Sequence, residues 1–441
     1  MTAPDIEPRI PSLTRREVLA TAAGLASATM LGSAAAQPVP ELPLSSRELW
    51  QWLATQPVLE PRVSYLDSAH TGATVRAAMA AEYRAREIQS FNVAWTSETE
   101  RWVEETARIA ARYASFLGCD ADEIAFTRGA GEAASMVANG LDLSEGDEIV
   151  TTTQEHPAAL SPWLFQARRR GVVVKQVDLP RPLSEPEQAL GLFAGAVTER
   201  TRVLMFSHVQ YADGAVLPVR ELCQFARQRN LVTLIDGAQA LGMLDFNLRD
   251  LDCDFYAGCF HKWIAGSHGT GLLYVRREML ERLWPTEPRN IETSPPVAFP
   301  AASPGQSVSP SALRRLGNHL PSLWPALKGT EAALDLHQRV GRSRIEARIR
   351  ELAIYARLRA QQFAGVELLT PARPGSWGGI LTFRIPGLAA KGAALRLAKS
   401  RIFVRAIDLP DQPDGALRLS LHVFNSHDDV EKAMQALSRM I

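Results

Sequence analysis

Between residues 123 and 275 the chain repeats one pattern: a short, nearly unbroken apolar run, a turn, then a stretch whose apolar positions recur at helical spacing. The runs EIAFT, DEIVTTT, VVVKQVDL, TRVLMFSHV, LVTLIDG and CDFYAGCF read as strands, and LLYV reads as a further strand after a glycine-rich turn. Between them EAASMVANGL, PWLFQARRRG and RELCQFARQRN read as helices. Strands apolar on both faces, alternating with helices, predict an α/β fold with a parallel or mostly parallel sheet covered on both sides. Ligands of such sheets gather beyond the carboxyl ends of the strands.

The flanks differ from this middle. Ser97 to Leu117 has apolar residues at helical spacing, Glu in its first turn and Gly118 just past its end, which predicts an amphipathic helix. Before it, a helix carrying Trp50 and Trp52 leads to RVSYLDSAHTGATV, a strand-like run that stops at a turn. After the sheet region, the proline-rich segment Pro285 to Pro310 predicts a long loop of the kind that serves as a lid or subunit contact. A helical stretch from about Leu323 to Phe363 then leads into an α+β region containing GGILTFRI and LRLSLHVFNSHDDVEKAMQALSRM.

Composition narrows the function. With 441 residues, 46% of them hydrophobic and 22% charged, the chain is long enough for two domains sharing a large core. The 48 basic and 48 acidic residues cancel, so no global field favours nucleic acid or an anionic membrane. The four cysteines show no metal-ligand pairing and are few for a disulfide scaffold. At the amino end a twin arginine (Arg15, Arg16), a mildly apolar run to Leu31 and Ala34-Ala35-Ala36 predict an export signal, residues 1–36, cleaved after Ala36. The run is too polar for a stable membrane span, and the expectation is a periplasmic protein carried folded by the twin-arginine machinery.

Candidate chemistry sits where the strands end. In EIAFTRGAGEAA, Gly129 and Gly131 allow backbone amides to approach an anion at a helix amino end, a weak sign of phosphate binding when taken alone. His156, after DEIVTTTQE, could present its flat face to an aromatic ligand or hydrogen-bond a loop. LVTLIDGAQ delivers the carboxylate of Asp236 at a strand end, with Gln239 three residues on; a buried carboxylate needs a partner, and a protonated pyridine nitrogen is one, helix capping the alternative. CDFYAGCFHKW places Lys262 among aromatic and apolar residues, an environment suited to Schiff-base chemistry, whereas a lone lysine is ordinarily a solvated surface group.

Together these motifs, from YLDSAHTG to LRLSLHVFNSHDDV, resemble the class V aminotransferases of the fold-type I pyridoxal 5'-phosphate (PLP) enzymes, and HKW is similar to the isopenicillin-N epimerase-like branch. The resemblance implies a large domain, residues 65–325, built on a mostly parallel seven-stranded sheet, a smaller α+β domain, residues 326–441, and an arm, residues 37–64, that contributes to the small domain. It implies PLP held covalently by Lys262, with Asp236 on the ring nitrogen, Gln239 on the ring hydroxyl, His156 stacked on the ring, and Ala130, Gly131 and His261 on the phosphate. Arg418 would grip the substrate carboxylate, His70 would face the substrate, and Asn318 would reach a phosphate across a homodimer.

Three departures matter. Gln210-Tyr211 stands where desulfurase-like members often place asparagine, and RRLGNHL lacks the acidic residue common before the family's glycine. No cysteine follows Cys259, which argues against a desulfurase. The expected activity is that of an exported PLP enzyme acting on an amino acid or a derived amine, the broken bond left open between epimerisation, transamination, β- or γ-elimination and decarboxylation. Alternatives are the tailoring of a siderophore side chain, as in periplasmic PLP enzymes of pyoverdine maturation, and an inactive binding protein of the same fold.

Overall fold

The backbone elements follow from the apolar runs. In the computed structural model, which describes residues 45–60, 62–91, 99–286, 312, 316, 320–409 and 412–441, each apolar run of the middle region becomes a strand. In chain order the strands are β1 (Ser64–Tyr65), β2 (Ile124–Thr127), β3 (Glu148–Thr152), β4 (Val173–Val177), β5 (Thr201–Ser207), β6 (Val232–Asp236), β7 (Phe255–Cys259), β8 (Gly271–Val275), β9 (Glu367–Leu368), β10 (Ile380–Arg384), β11 (Ile402–Phe403), β12 (Arg405–Leu409) and β13 (Gln412–Ser420). Residues 1–44, which include the expected export signal and the first part of the expected linker, residues 287–311 of the expected loop, and Gly317-Asn318 lie outside the described residues.

Seven strands form one sheet in the order β2-β8-β7-β6-β5-β3-β4. β3, β4, β5, β6 and β7 pair in parallel, whereas β8 pairs antiparallel with both β7 and β2. β2 therefore points the same way as β7, and β8 alone runs against the rest. The sheet is mostly parallel, and the carboxyl ends of β2, β3, β5, β6 and β7 share one edge. β2, β3, β6, β7 and β8 are buried along their whole length, whereas β4, at the margin, alternates exposed and half-buried residues. An edge strand has neighbours on one side only, so its polar Lys175 and Gln176 fit there.

Helices differ more from the sequence pattern. The helix expected from Pro162 starts at Pro157 instead, because His156 caps it: its Nδ1 accepts the Ala158 N–H, and proline suits the first helical position. The helical stretch after Leu323 is two helices, Leu320–Val340 and Arg342–Ala360, broken at Gly341, whose φ of 90° few residues other than glycine adopt. Helices Arg76–Phe91, Pro186–Ala196 and Ala390–Lys399 have no counterpart in the sequence reading.

Residues 45–441 form one compact unit with two main apolar clusters. One lies on the seven-stranded sheet and includes Ile149, Met205, Leu234, Phe255 and Trp163. The other joins Leu66 to Phe383, Leu417, Leu419 and Leu437, around the antiparallel sheet β12-β13-β10-β9. β1 pairs with β11, so the chain just before the SAHTG turn packs against the carboxyl-terminal region.

Candidate active site

Because five strands end at one edge, the loops after them meet. Ser207 and Asp236, the last residues of β5 and β6, are register partners. β7 ends at Cys259 and continues through Phe260 to His261 and Lys262; β3 is followed by Gln154, Glu155 and His156; β2 turns at Gly129 into the helix Ala130–Gly140. These loops enclose a cavity of about 350 Å³, in the range of small-molecule sites. Its lining includes His70, Ala130, Gly131, His156, Asp236, Gln239, His261 and Lys262, which are all the site residues expected from the sequence except Arg418 and Asn318.

The SAHTG turn reaches the lysine through the backbone. Gly72 donates its N–H to the His261 carbonyl at 2.7 Å. A Cβ at position 72 would stand 1.9 Å from the Lys262 carbonyl oxygen, so only glycine fits this crossing. Lys262 is 9% exposed, and none of the hydrogen bonds or ion pairs among the described residues engages its ammonium. Its amine opens onto the cavity, where it can react with a bound ligand.

Around it the polar groups are fixed. Asp236 Oδ1 accepts the Ala238 N–H at 2.9 Å. Gln239 Nε2 donates to the Ala69 carbonyl, and Gln239 Oε1 accepts from the Trp263 indole, both at 2.9 Å. His156 stands edge-on to Tyr211, ring centres 5.1 Å apart, and burial, followed by the Lys262 charge, lowers its pKa. Burial brings His261 down to about 4, so its ring is neutral near pH 7, and its buried Nδ1 has no partner. Gly129 caps the helix Ala130–Gly140 without a side chain, leaving the first-turn amides for an anion. An orphaned ring nitrogen and an open helix amino end on one cavity fit the phosphate of PLP.

Arg418 is placed differently from the expectation that it meets substrate directly. It is 3% exposed and does not line the cavity; its Nη2 bonds Asp67 Oδ1 at 2.9 Å and its Nη1 the Tyr211 carbonyl at 2.8 Å. Burial pulls Arg418 down and pushes Asp67 up, and each charge opposes the other's shift. A guanidinium this buried needs a carboxylate, and Asp67 of the YLDSAHTG motif supplies it. Among the described residues its Nε has no partner. Asn318 lies outside the described residues.

Sequence reasoning passed over Glu155. It is buried, and burial raises its pKa to about 7. It accepts hydrogen bonds from Thr152 and Ser207. The same signal that marked Asp236, a carboxylate just past an apolar strand, marks Glu155. Cys259 lines the cavity too, but burial pushes its thiol up to about 11, which leaves it protonated and unreactive.

Residues 64–433 match the family model of the class V aminotransferases ("Aminotransferase class-V"). The chain belongs to this family. Its members are PLP enzymes, and the orphaned groups of the cavity suit that cofactor. The chain is 32% identical to isopenicillin N epimerase of Amycolatopsis lactamdurans over 89% of its length and 98% of that protein's. A second isopenicillin N epimerase, from Streptomyces clavuligerus, is 33% identical over 74% of this chain and 82% of its own. A probable cysteine desulfurase of Pseudomonas aeruginosa is 31% identical over 86% and 94%. Among solved structures, the cystine C-S lyase C-DES bound to cysteine persulfide superimposes with a TM-score of 0.75 over 86% of this chain and 98% of that one, at 23% identity. The fold is that of the type I PLP enzymes. Among the described residues no helix is long and apolar enough to cross a membrane.

Proposed function

We propose that the chain is a PLP enzyme that moves a proton at the amine-bearing carbon of an amino acid or derived amine, with Lys262 as the cofactor anchor and proton carrier. The observation that carries this reading is the amine of the buried Lys262, which no hydrogen bond or ion pair among the described residues engages, on a cavity shared with Asp236, Gln239, His156 and a bare helix amino end. When bound, PLP supplies an aldehyde for a lysine and a ring that delocalises the electron pair left at the carbon. The amides of Ala130 and Gly131, with neutral His261, would hold its phosphate; Asp236 would hold the ring nitrogen protonated, Gln239 would meet the ring hydroxyl, and His156 would cover the ring and exclude water. Lys262 Nζ, released when substrate binds, would take the carbon-bound proton and return it.

Arg418 remains the residue proposed to hold the substrate carboxylate, which it would reach by exchanging a present partner, Asp67 or the carbonyl of the cavity residue Tyr211. His70, exposed and on the cavity lining, would face the substrate. Epimerisation is favoured over sulfur transfer by two similar epimerases and by the absence of any cysteine after Cys259. The twin-arginine segment supports export to the periplasm, and the exposed Met79, Tyr83, Ile88 and Phe91 of helix Arg76–Phe91 support a homodimer. The export segment also favours a second reading, a tethered siderophore amine as substrate.

The test is deuterium uptake: PLP-loaded protein is incubated in D2O with single amino acids, peptides and siderophore-linked amines, and exchange at the amine-bearing carbon is read by mass spectrometry. Exchange lost in Lys262→Ala supports the proposal. Loss of substrate amine or sulfur without such exchange contradicts it.

A further inference from the structure

Trp263 directly follows the lysine and is fully buried. Its indole nitrogen can only donate, and the backbone carbonyl of Ala69 can only accept. Gln239 bridges the two, with Oε1 toward the indole and Nε2 toward the carbonyl, both at 2.9 Å. The flipped amide would set N–H against N–H and oxygen against oxygen, so one orientation is allowed. The amide nitrogen has a second hydrogen, and Gln239 lines the cavity. What Gln239 offers a bound ligand is therefore a donor.

Trp263 is itself braced. Its ring stacks on His422 with centres 5.7 Å apart and planes 13° apart. His422 Nε2 lies 2.9 Å from the Trp263 carbonyl. A carbonyl only accepts, so that nitrogen carries the proton, and the buried Nδ1 is the bare one, in keeping with its lack of a partner. On another side, a Cβ at Gly379 would come within 2.8 Å of the indole ring. The indole cannot turn without displacing backbone.

We propose that Trp263 is a positioning residue: by donating to Gln239 it locks the amide with its free N–H toward the cavity, so that the site selects the ionised ring oxygen of PLP. This rests on the PLP reading of the cavity. The neighbouring titratable groups Asp236, His156, His70 and His261 act on the bound ring as well, so the test compares variants in which all four are kept, together with the anchor Lys262.

The probe is the visible absorption band of the PLP-bound protein titrated with pH, for wild type, Trp263→Phe, Gln239→Leu and the double variant. A lost donor to the ionised oxygen raises the midpoint of the transition by about one pH unit, the size of one hydrogen bond to a charged group. Trp263→Phe keeps the ring and loses the N–H, so its midpoint should rise, and the double variant should rise no further than Gln239→Leu alone. An unmoved midpoint in Trp263→Phe, or additive shifts in the double variant, overturns the proposal. A wild-type protein without any PLP band overturns the PLP reading instead. If Trp263→Phe does not fold, the ¹⁵N indole spectrum of Gln239→Leu decides: one of the nine tryptophan N–H signals should shift and lose exchange protection, and nine unchanged signals overturn it.

Discussion

The Gly72 amide donates to the His261 carbonyl at 2.7 Å, tying the SAHTG turn to the segment that carries Lys262 across 189 positions of sequence. The two strands of backbone cross so closely that a single methyl group has no room. Gly72→Ala should therefore displace the backbone of Lys262 and cost about 3 kcal/mol, the upper range for overpacking. Thermal melts and PLP retention check this: both should fall, whereas Ala73→Ser, one residue on and half-buried, should leave them near wild type.

The Asp67–Arg418 pair yields a second expectation. Removing one member of a buried pair strands the other, at a cost of about 3–5 kcal/mol. Asp67→Ala and Arg418→Ala should each lower the midpoint of urea unfolding, and the double variant should lose less than the sum. Arg418→Lys keeps a charge for Asp67 but loses the fork to the Tyr211 carbonyl. If Arg418 holds the substrate carboxylate, this variant raises KM for the substrate more than it lowers stability.

Acid should destabilise the fold before the carboxylates of surface pairs titrate. Burial brings His208, His261 and His337 down to about 4 and His422 to about 3. Their stability contribution is present above the ordinary histidine pKa and lost as pH falls toward the native values, because the unfolded chain takes up protons that the native one refuses. Glu155, raised to about 7, and Asp213, raised to about 6, act the other way, binding protons in the native state where the unfolded state does not. With His70 and His156 also lowered and Asp67 also raised, the lowered histidines outnumber the raised carboxyls, so stability should fall as pH drops from 6 to 4.5. Urea melts of the apoprotein across that window measure the slope. His337→Phe should make it shallower, since one group that refuses a proton in the native state is then gone.

The sheet and most of the site were legible because a buried parallel strand announces itself as an apolar run, and the residue at its carboxyl end is placed by the fold. Asp236, His156 and Lys262 are of that kind. Helix Arg76–Phe91 was not legible, because it buries only Ala78 and Ala85 and so carries almost no apolar periodicity. The Pro186–Ala196 helix is interrupted by Gly191 and Gly195, which hide it in the same way. Contacts between distant segments left no local mark at all: Asp67 meets Arg418 across 351 residues, and nothing near Arg418 in sequence says that its charge is already engaged. The bond from Trp263 to Gln239 is of the same sort, two side chains from neighbouring loops whose meeting depends on the sheet beneath them.

We propose Lys262 as the covalent anchor of PLP. Borohydride reduction of the PLP-loaded protein, followed by proteolysis and peptide mass spectrometry, tests it most directly. One phosphopyridoxyl group is expected, on the peptide containing Lys262, and no stable label in Lys262→Ala. Label on Lys175, Lys328 or another lysine with Lys262 unmodified, or no label at all after PLP is added, would contradict it.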